Sequence, residues 1–374
     1  MKFSFFHLMP WTHLEQTPAE WPARNAEFDP VKGQQLYQTY LDTMVNAEAC
    51  DFDWVAANEH HFSPYSLMSN CNLIGAALTQ RTSSIKIAML GNLLPILNPI
   101  RVAEEYAMLD VMSGGRLIAG FVRGIPHEYI SYNIPPSQSR ARMKEALDLI
   151  LKAWTEPEPF GWEGEFYQHR AVSIWPRPFQ KPHPRMLLSA SNDESAEFVG
   201  QYDAILGMTL IFDLDVARDT IEIFKNVSRS HGREIGPDQL LIGQQTCIAP
   251  TDEEARHHMR EALPYFHARL MRPQQDAQRI VLQKSRFFSD DEQRAFFVKR
   301  LQALKARTLE DQIEAGSMLC GSPQSVVKQI KRLRQRLGAG YVNINMKIGT
   351  MPDSVILKGM QLFKDEVLPH VVDL

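Results

Sequence analysis

Eight strand-like runs, each followed by a helical pattern, predict that this 374-residue chain forms an α/β fold, a (β/α)8 TIM barrel with insertions. Two further observations support that class. A doubly wound open sheet, the main competitor, carries a glycine-rich phosphate turn after its first strand. Here the first strand runs into "PWTHLEQTP", which contains no glycine. The length suits one large domain, so the expected organisation is a single barrel domain over 1–374. Insertions are expected at about 160–184 and about 272–318.

The elements follow in order. "KFSFFHLM" is aromatic-rich, stops at Pro10 and reads as strand one. Helical periodicity follows in Leu36, Tyr40, Met44 and Val45. "DWVAANE" is strand two, with a short helix over 72–80. "IKIAMLGNLLP" is strand three, closed by Pro95, with a helix over 100–112 ended by Ser113-Gly114-Gly115. "RLIAGFVRG" is strand four, and Ser139 is the expected N-cap of the next helix. The proline-rich stretch 160–184 breaks the rhythm and reads as an extended or hairpin excursion. "RMLLSA", "AILGMTL" and "LLIGQQTCIA" are strands five to seven, with helices expected over about 192–202 and 214–231. Thr251 and Glu254 fit a capping box for the helix after strand seven. Residues 272–317 are charged and Gln-rich, with helical pieces and no strand. A helix over 322–337, "YVNINMKI" as strand eight and a last helix over about 353–371 complete the chain.

Bulk properties exclude several classes. The hydrophobic fraction is 44%, the charged fraction 22% and the formal net charge -4. That balance gives no electrostatic support for a nucleic-acid or anionic-membrane partner. The basic stretch from Lys328 to Arg336 lies in an amphipathic pattern and reads as a solvated face. Cys50, Cys71, Cys247 and Cys320 form no C-x-x-C pair, which points to reduced thiols and a cytoplasmic protein. No apolar run of about eighteen residues is present, so no membrane span is expected. "HHMRE" at His257–Glu261 lacks the H-E-x-x-H pattern, and no metal site is expected.

Several residues sit where a barrel does chemistry, at the C-terminal strand ends. Arg123 and Gly124 end strand four. An arginine there grips a phosphate or seals the rim with a salt bridge. Ser191 follows strand five, where a helix N-terminus serves an anion or is merely capped by Ser191 or Asn192. Arg140 opens the helix after strand four. Leu90 and Gly91 lie near the end of strand three, where a glycine marks a bulge or a close backbone approach. Glu59, His60 and His61 end strand two. Adjacent strand residues face opposite ways, so the two imidazoles do not share a metal. Phe6, Trp11 and Met208, by position, are candidates to line a substrate pocket, with His7 a lesser one.

"FDWVAANEHHF", "GNLLPILNPIRVAEEYAMLDVMSGGRLIAGFVRG", "SRARMKEAL" and "GSPQSVVKQIKRLRQRLGAGYVNI" together resemble the bacterial luciferase-like flavin-dependent monooxygenases, in order and spacing along nearly the whole chain. The resemblance implies a barrel, a homodimer, reduced FMN as cofactor and a separate flavin reductase that supplies it. It implies His60 as the catalytic imidazole. It places Arg123, Ser191 and Arg140 at the flavin phosphate, and a cis peptide at Leu90–Gly91 against the flavin ring. The implied reaction adds O2 to the reduced flavin as a C4a-peroxide, which oxygenates a small organic substrate, an aldehyde or ketone by analogy. Val122 stands where luciferase has a reactive cysteine, and Ala190 where related chains have an acidic residue, so neither receives a role. Two alternatives stay open on the same fold: a deazaflavin (F420)-dependent hydride transfer, and a non-catalytic flavin-binding relative. Residues 272–317 are expected to order on flavin binding.

Overall fold

Runs of apolar residues, buried on both faces, make eight short parallel strands: β1 (Lys2–Phe6), β2 (Trp54–Ala57), β3 (Lys86–Met89), β4 (Leu117–Val122), β5 (Arg185–Ser189), β6 (Ile205–Met208), β7 (Leu240–Ile248) and β8 (Tyr341–Asn345). Parallel strands buried on both sides need no polar alternation. Each strand pairs with the next, and β8 closes on β1 with Lys2 opposite Tyr341 and Phe6 opposite Asn345. The computed structural model describes residues 1–18, 21–211, 213–284, 291, 295 and 307–374.

Strand parity divides the core in two. Trp54, Ala56, Ala88, Leu90, Ile118, Leu187, Ile205, Leu241 and Tyr341 form a small cluster, with Phe6 packed against it. These positions face the barrel interior. Their neighbours along each strand join a much larger cluster under the surrounding helices. The helices of that outer layer are α1 (Pro30–Ala49), α2 (Cys71–Arg81), α3 (Pro99–Met112), α4 (Ser139–Thr155), α5 (Asp193–Gly200), α6 (Leu214–Ser230), α7 (Asp252–Tyr265), α8 (Pro323–Leu337) and α9 (Asp353–Leu362). Asp29, Asn70 and Asn98 cap α1, α2 and α3 by accepting backbone N–H bonds. Each such cap is worth about 1 kcal/mol.

Several expected boundaries shift. Strand three stops at Met89, the Leu90–Gly91 peptide is cis, and Asn92–Leu93 then pairs with β4. Close strand approach explains the glycines there. A Cβ on Gly120 would stand 1.6 Å from the Met89 carbonyl oxygen, and one on Gly91 would stand 2.1 Å from the Gly120 oxygen. Ser139 is the first residue of α4 rather than its N-cap, since Gln138 holds that position without a side-chain bond. The cap of α5 is Asn192, in a reciprocal box with Ser195. At α7, Thr251 accepts the Glu254 N–H, a one-sided cap. A four-residue strand, Met318–Gly321, was not expected. It lies parallel to the end of β7, with Gln245 opposite Met318.

The excursion at 160–184 is an antiparallel hairpin, Phe160–Glu163 against Gln168–Val172. The Glu145 carboxylate of α4 holds it by accepting from Phe166 N, Tyr167 N and Trp162 Nε1. The second insertion includes the helices Arg272–Lys284 and Leu309–Glu314. The expected ordering of 272–317 concerns in large part 285–306, most of which lies outside the described residues. The four cysteines are buried free thiols, and burial raises the pKa of each. No helix among the described residues is long and apolar enough to cross a membrane.

Candidate active site

Past the inner cluster, the same parity turns Phe6, Asn58, Val122, Ser189, Gln245 and Asn345 toward the C-terminal mouth of the barrel, with Ser4 and Asn343 one layer below. On β4, β6 and β7 the same parity brings up Gly120, Gly207 and Gly243, where a Cβ would meet Met89 O, the Leu187 side chain and Thr209 O in turn. The mouth is polar, and its hydrogen bonding is incomplete within the protein. Ser4 Oγ, Asn58 Nδ2, Asn343 Oδ1 and Asn345 Oδ1 are buried without a partner among the described residues. Buried polar atoms are nearly always paired, so orphans gathered at one mouth suit a ligand rich in donors and acceptors.

β2 ends at Ala57, and the chain then turns off the barrel wall. His60 donates its backbone N–H to Met68 O at 3.1 Å. Its ring meets Tyr65 edge-on, with centroids 4.8 Å apart. His60 Nδ1 lies 2.8 Å from Oε1 of Glu128, and the His60 side chain keeps 21% of its surface open. An ionised carboxylate is an acceptor only, so the proton sits on Nδ1. Nε2, on the other edge of the ring, has no bond among the described residues.

Glu128 opens the short helix Glu128–Ser131 after β4 and is fully buried. Its Oε2 accepts the Ile125 N–H at 3.0 Å. Burial alone would raise its pKa, but the His60 charge and hydrogen bond, His127 and the Ile125 N–H outweigh that and hold it below the usual carboxylate range. One carboxylate thus ties the turn after Arg123 to the imidazole. His127, beside it, is pushed down to about 4 by burial.

The second imidazole has its own carboxylate. His61 Nε2 lies 3.1 Å from Glu59 Oε1, both buried, and Tyr132 OH lies 3.3 Å from His61 Nδ1. Glu59 therefore orients His61. Burial raises its pKa despite the His61 bond.

The ends of β4 and β5 bring the expected cations together. Arg123 follows β4, its carbonyl accepts from Tyr129 OH, and Gly124 takes φ +82°. Arg123 is held down to about 10 by burial and by the neighbouring charge of Arg140. Arg140, on the first turn of α4, is itself engaged by Glu194 at 2.5 Å. Ser191 precedes the Asn192 cap of α5, and its N–H donates to Ser195 Oγ. Arg123, Arg140 and the α5 N-terminus thus form one cluster, while Leu90–Gly91 and His60 follow the C-terminal ends of β3 and β2 at the same rim.

Two position-based expectations fail on parity. His7 points outward from β1 onto Tyr40 of α1, 4.6 Å away, and its Nδ1 accepts the Met9 N–H. Met208 belongs to the outer core. Trp11 does line a cavity, together with Phe28 and Phe62, and Phe6 faces the interior. Glu128, Asn58 and Asn345 were missed. Asn58 and Asn345 were within reach of strand parity, two residues beyond inward-facing positions. Glu128 had no signal, because 68 residues separate it from His60.

Comparison with known proteins bears on the family and the fold. The family profile described as Luciferase-like monooxygenase matches residues 6–340. The protein y4wF of Sinorhizobium fredii is 33% identical over 170 residues, 44% of this chain and about half, 49%, of that protein. The alkanal monooxygenase alpha chain of Photobacterium leiognathi is 22% identical over 352 residues, covering 91% of this chain and 95% of its own length. Among solved structures, the oxygenating constituent of 3,6-diketocamphane monooxygenase from Pseudomonas putida, in complex with FMN, has a TM-score of 0.76 at 19% identity, covering 99% of this chain and 98% of that one. An F420-dependent secondary alcohol dehydrogenase has a TM-score of 0.69 at 16% identity, with the same coverages. At these identities the structures speak for the fold alone.

Proposed function

The chain belongs to the luciferase-like monooxygenases, and from that premise we propose that it is the oxygenase component of a two-component system. A separate flavin reductase supplies reduced FMN, and the product is a small aldehyde or ketone substrate oxygenated with O2. One observation carries the reading. A buried cation beside a helix N-terminus and an imidazole fixed by a buried carboxylate stand on the same barrel rim.

The residues fit the cofactor. Arg123 and the Ser191 end of α5 offer positive charge and N–H groups to a phosphate. Arg140 reinforces that charge from its ion pair with Glu194. The orphaned amides Asn58 and Asn345 suit the polar edge of a flavin ring, and the buried cis peptide Leu90–Gly91 follows β3 at the same mouth. When bound, reduced FMN supplies the two electrons that send one oxygen atom of O2 into the substrate and the other to water. The protein contributes the rest. Glu128 keeps the His60 proton on Nδ1, so Nε2 takes or gives a proton at the reacting oxygen. The apolar interior below the mouth excludes water. The proposed assembly is a homodimer.

Binding separates this reading from the deazaflavin alternative. Anaerobic titration with reduced FMN and with reduced deazaflavin is expected to give tight binding to FMN. Tight binding of the deazaflavin alone would sink the proposal.

A further inference from the structure

We propose that Gln274, on the helix of the second insertion, is a positioning residue for His60 and acts on it through Ser63 and Tyr65. This rests on the oxygenase reading, in which His60 moves the proton, and adds to it the group that sets the plane of the imidazole. Glu128 meets the ring at Nδ1. One bond fixes that nitrogen and leaves the ring free to swing about the contact. Tyr65 supplies the second restraint. The two rings meet edge to face, with centroids 4.8 Å apart and planes at 84°. That is a preferred arrangement for π-systems, and tilting the imidazole breaks it.

Tyr65 is itself held from the excursion after β7. Its ring lies 5.9 Å from that of Phe266, tilted by 46°. Its backbone N–H donates to Ser63 Oγ at 3.2 Å. The same oxygen accepts from Gln274 Nε2 at 2.7 Å, across 211 residues of chain. Gln274 is 2% exposed and belongs to the helix Arg272–Lys284, which continues directly from the turn Phe266–Met271. One continuous helical stretch therefore supports Tyr65 twice, on its ring through Phe266 and on its backbone through Ser63.

Ser63 stands where the loop most needs holding. Phe62, just before it, takes φ +53° and is 56% exposed. A bulky residue in the left-handed region persists only where its surroundings over-determine it. With more than half of Phe62 open, packing alone does not do so, and the two bonds at Ser63 Oγ act on the very next residue. Losing the Gln274 bond loosens this turn and, through Tyr65, the plane of His60. A misplacement of about 1 Å in a positioned group costs on the order of 10²-fold in rate. A tilt passed on through two contacts is a smaller change.

The test reads the His60 ring by ¹⁵N spectra of the full-length, flavin-free protein and follows exchange of its Nδ1 proton with water. Gln274→Met keeps the length and helix propensity of the side chain and removes the donor. Exchange should quicken about three- to tenfold, the factor one lost hydrogen bond represents. Turnover with reduced FMN should fall by a similar factor at nearly unchanged KM for reduced FMN. Ser63→Ala should do the same, and the double variant should do no more than the larger single change, because both act through one hydroxyl. Ser63→Thr retains that hydroxyl and should restore slow exchange, which separates the bond from a general loss of folding. Unchanged exchange in Gln274→Met or in Ser63→Ala, or effects that add in the double variant, overturns the proposal. Because the exchange measurement contains no flavin, failure of the oxygenase reading shows separately. The expected exchange pattern in a protein that incorporates no oxygen with reduced FMN overturns that reading and leaves the positioning of His60 standing.

Discussion

At the scale of the residue, Glu128 is the least replaceable group the structure adds to the site. It is buried, it bonds His60 and Ile125 at once, and the turn it closes carries Arg123. Tyr65, His127, Glu59 and Tyr129 surround the pair electrostatically. Removing the imidazole with His60→Ala should lower turnover with reduced FMN about 10²–10⁴-fold, the range of a general acid–base group. Glu128→Gln keeps the volume but can present an N–H to Nδ1, which selects the other tautomer. Turnover should fall at nearly unchanged KM, and ¹⁵N spectra of the flavin-free protein should show the His60 proton moved from Nδ1 to Nε2. Unchanged turnover in His60→Ala, or an unmoved proton in Glu128→Gln, would contradict these roles.

At the scale of the element, α2 and α3 pack on each other and leave Leu73, Met108, Val111 and Met112 exposed. Apolar side chains gathered on adjacent helices suit a partner surface of the same kind. Leu73→Glu with Met108→Glu should therefore convert the proposed dimer into a species of the 42.7 kDa protomer mass in sedimentation, without loss of helix signal. Element by element, the barrel was legible because buried parallel strands and amphipathic helices leave different periods. Gly91 marked the close approach of β3 and β4 correctly, whereas Gly120, its counterpart on β4, drew no reading from the sequence. Met318–Gly321 escaped because four residues are too few for a period to register. His7 and Met208 were misplaced by counting from strand ends without fixing parity, which the inner cluster around Trp54 and Tyr341 settles. The His60–Glu128 contact depends on two loops meeting in space, and no local pattern encodes it.

At the scale of the whole molecule, buried histidines link stability to pH. His127 titrates at about 4 when folded, against 6.5 for the free side chain. Its folded pKa is depressed, so its contribution is complete above about pH 6.5 and is lost as pH falls toward about 4. Between pH 7 and pH 4.5 that amounts to about 2–3 kcal/mol. His7 acts in the same direction, whereas Glu59, whose pKa is raised, acts in the opposite one. His127→Phe keeps a ring against Trp21 and cannot take a proton. Urea unfolding at the two pH values should show the variant losing less stability than the parent by about that amount. An equal loss would place the titration elsewhere.

Burial and raised thiol pKa values also give the molecule a chemically quiet background. Cys50, Cys71, Cys247 and Cys320 are poor nucleophiles at neutral pH because so little thiolate forms. A cysteine introduced at an exposed site would then be the position that takes a maleimide dye. Distances across the barrel mouth could be followed by fluorescence in the native-thiol protein, with no need to strip its own sulfur first.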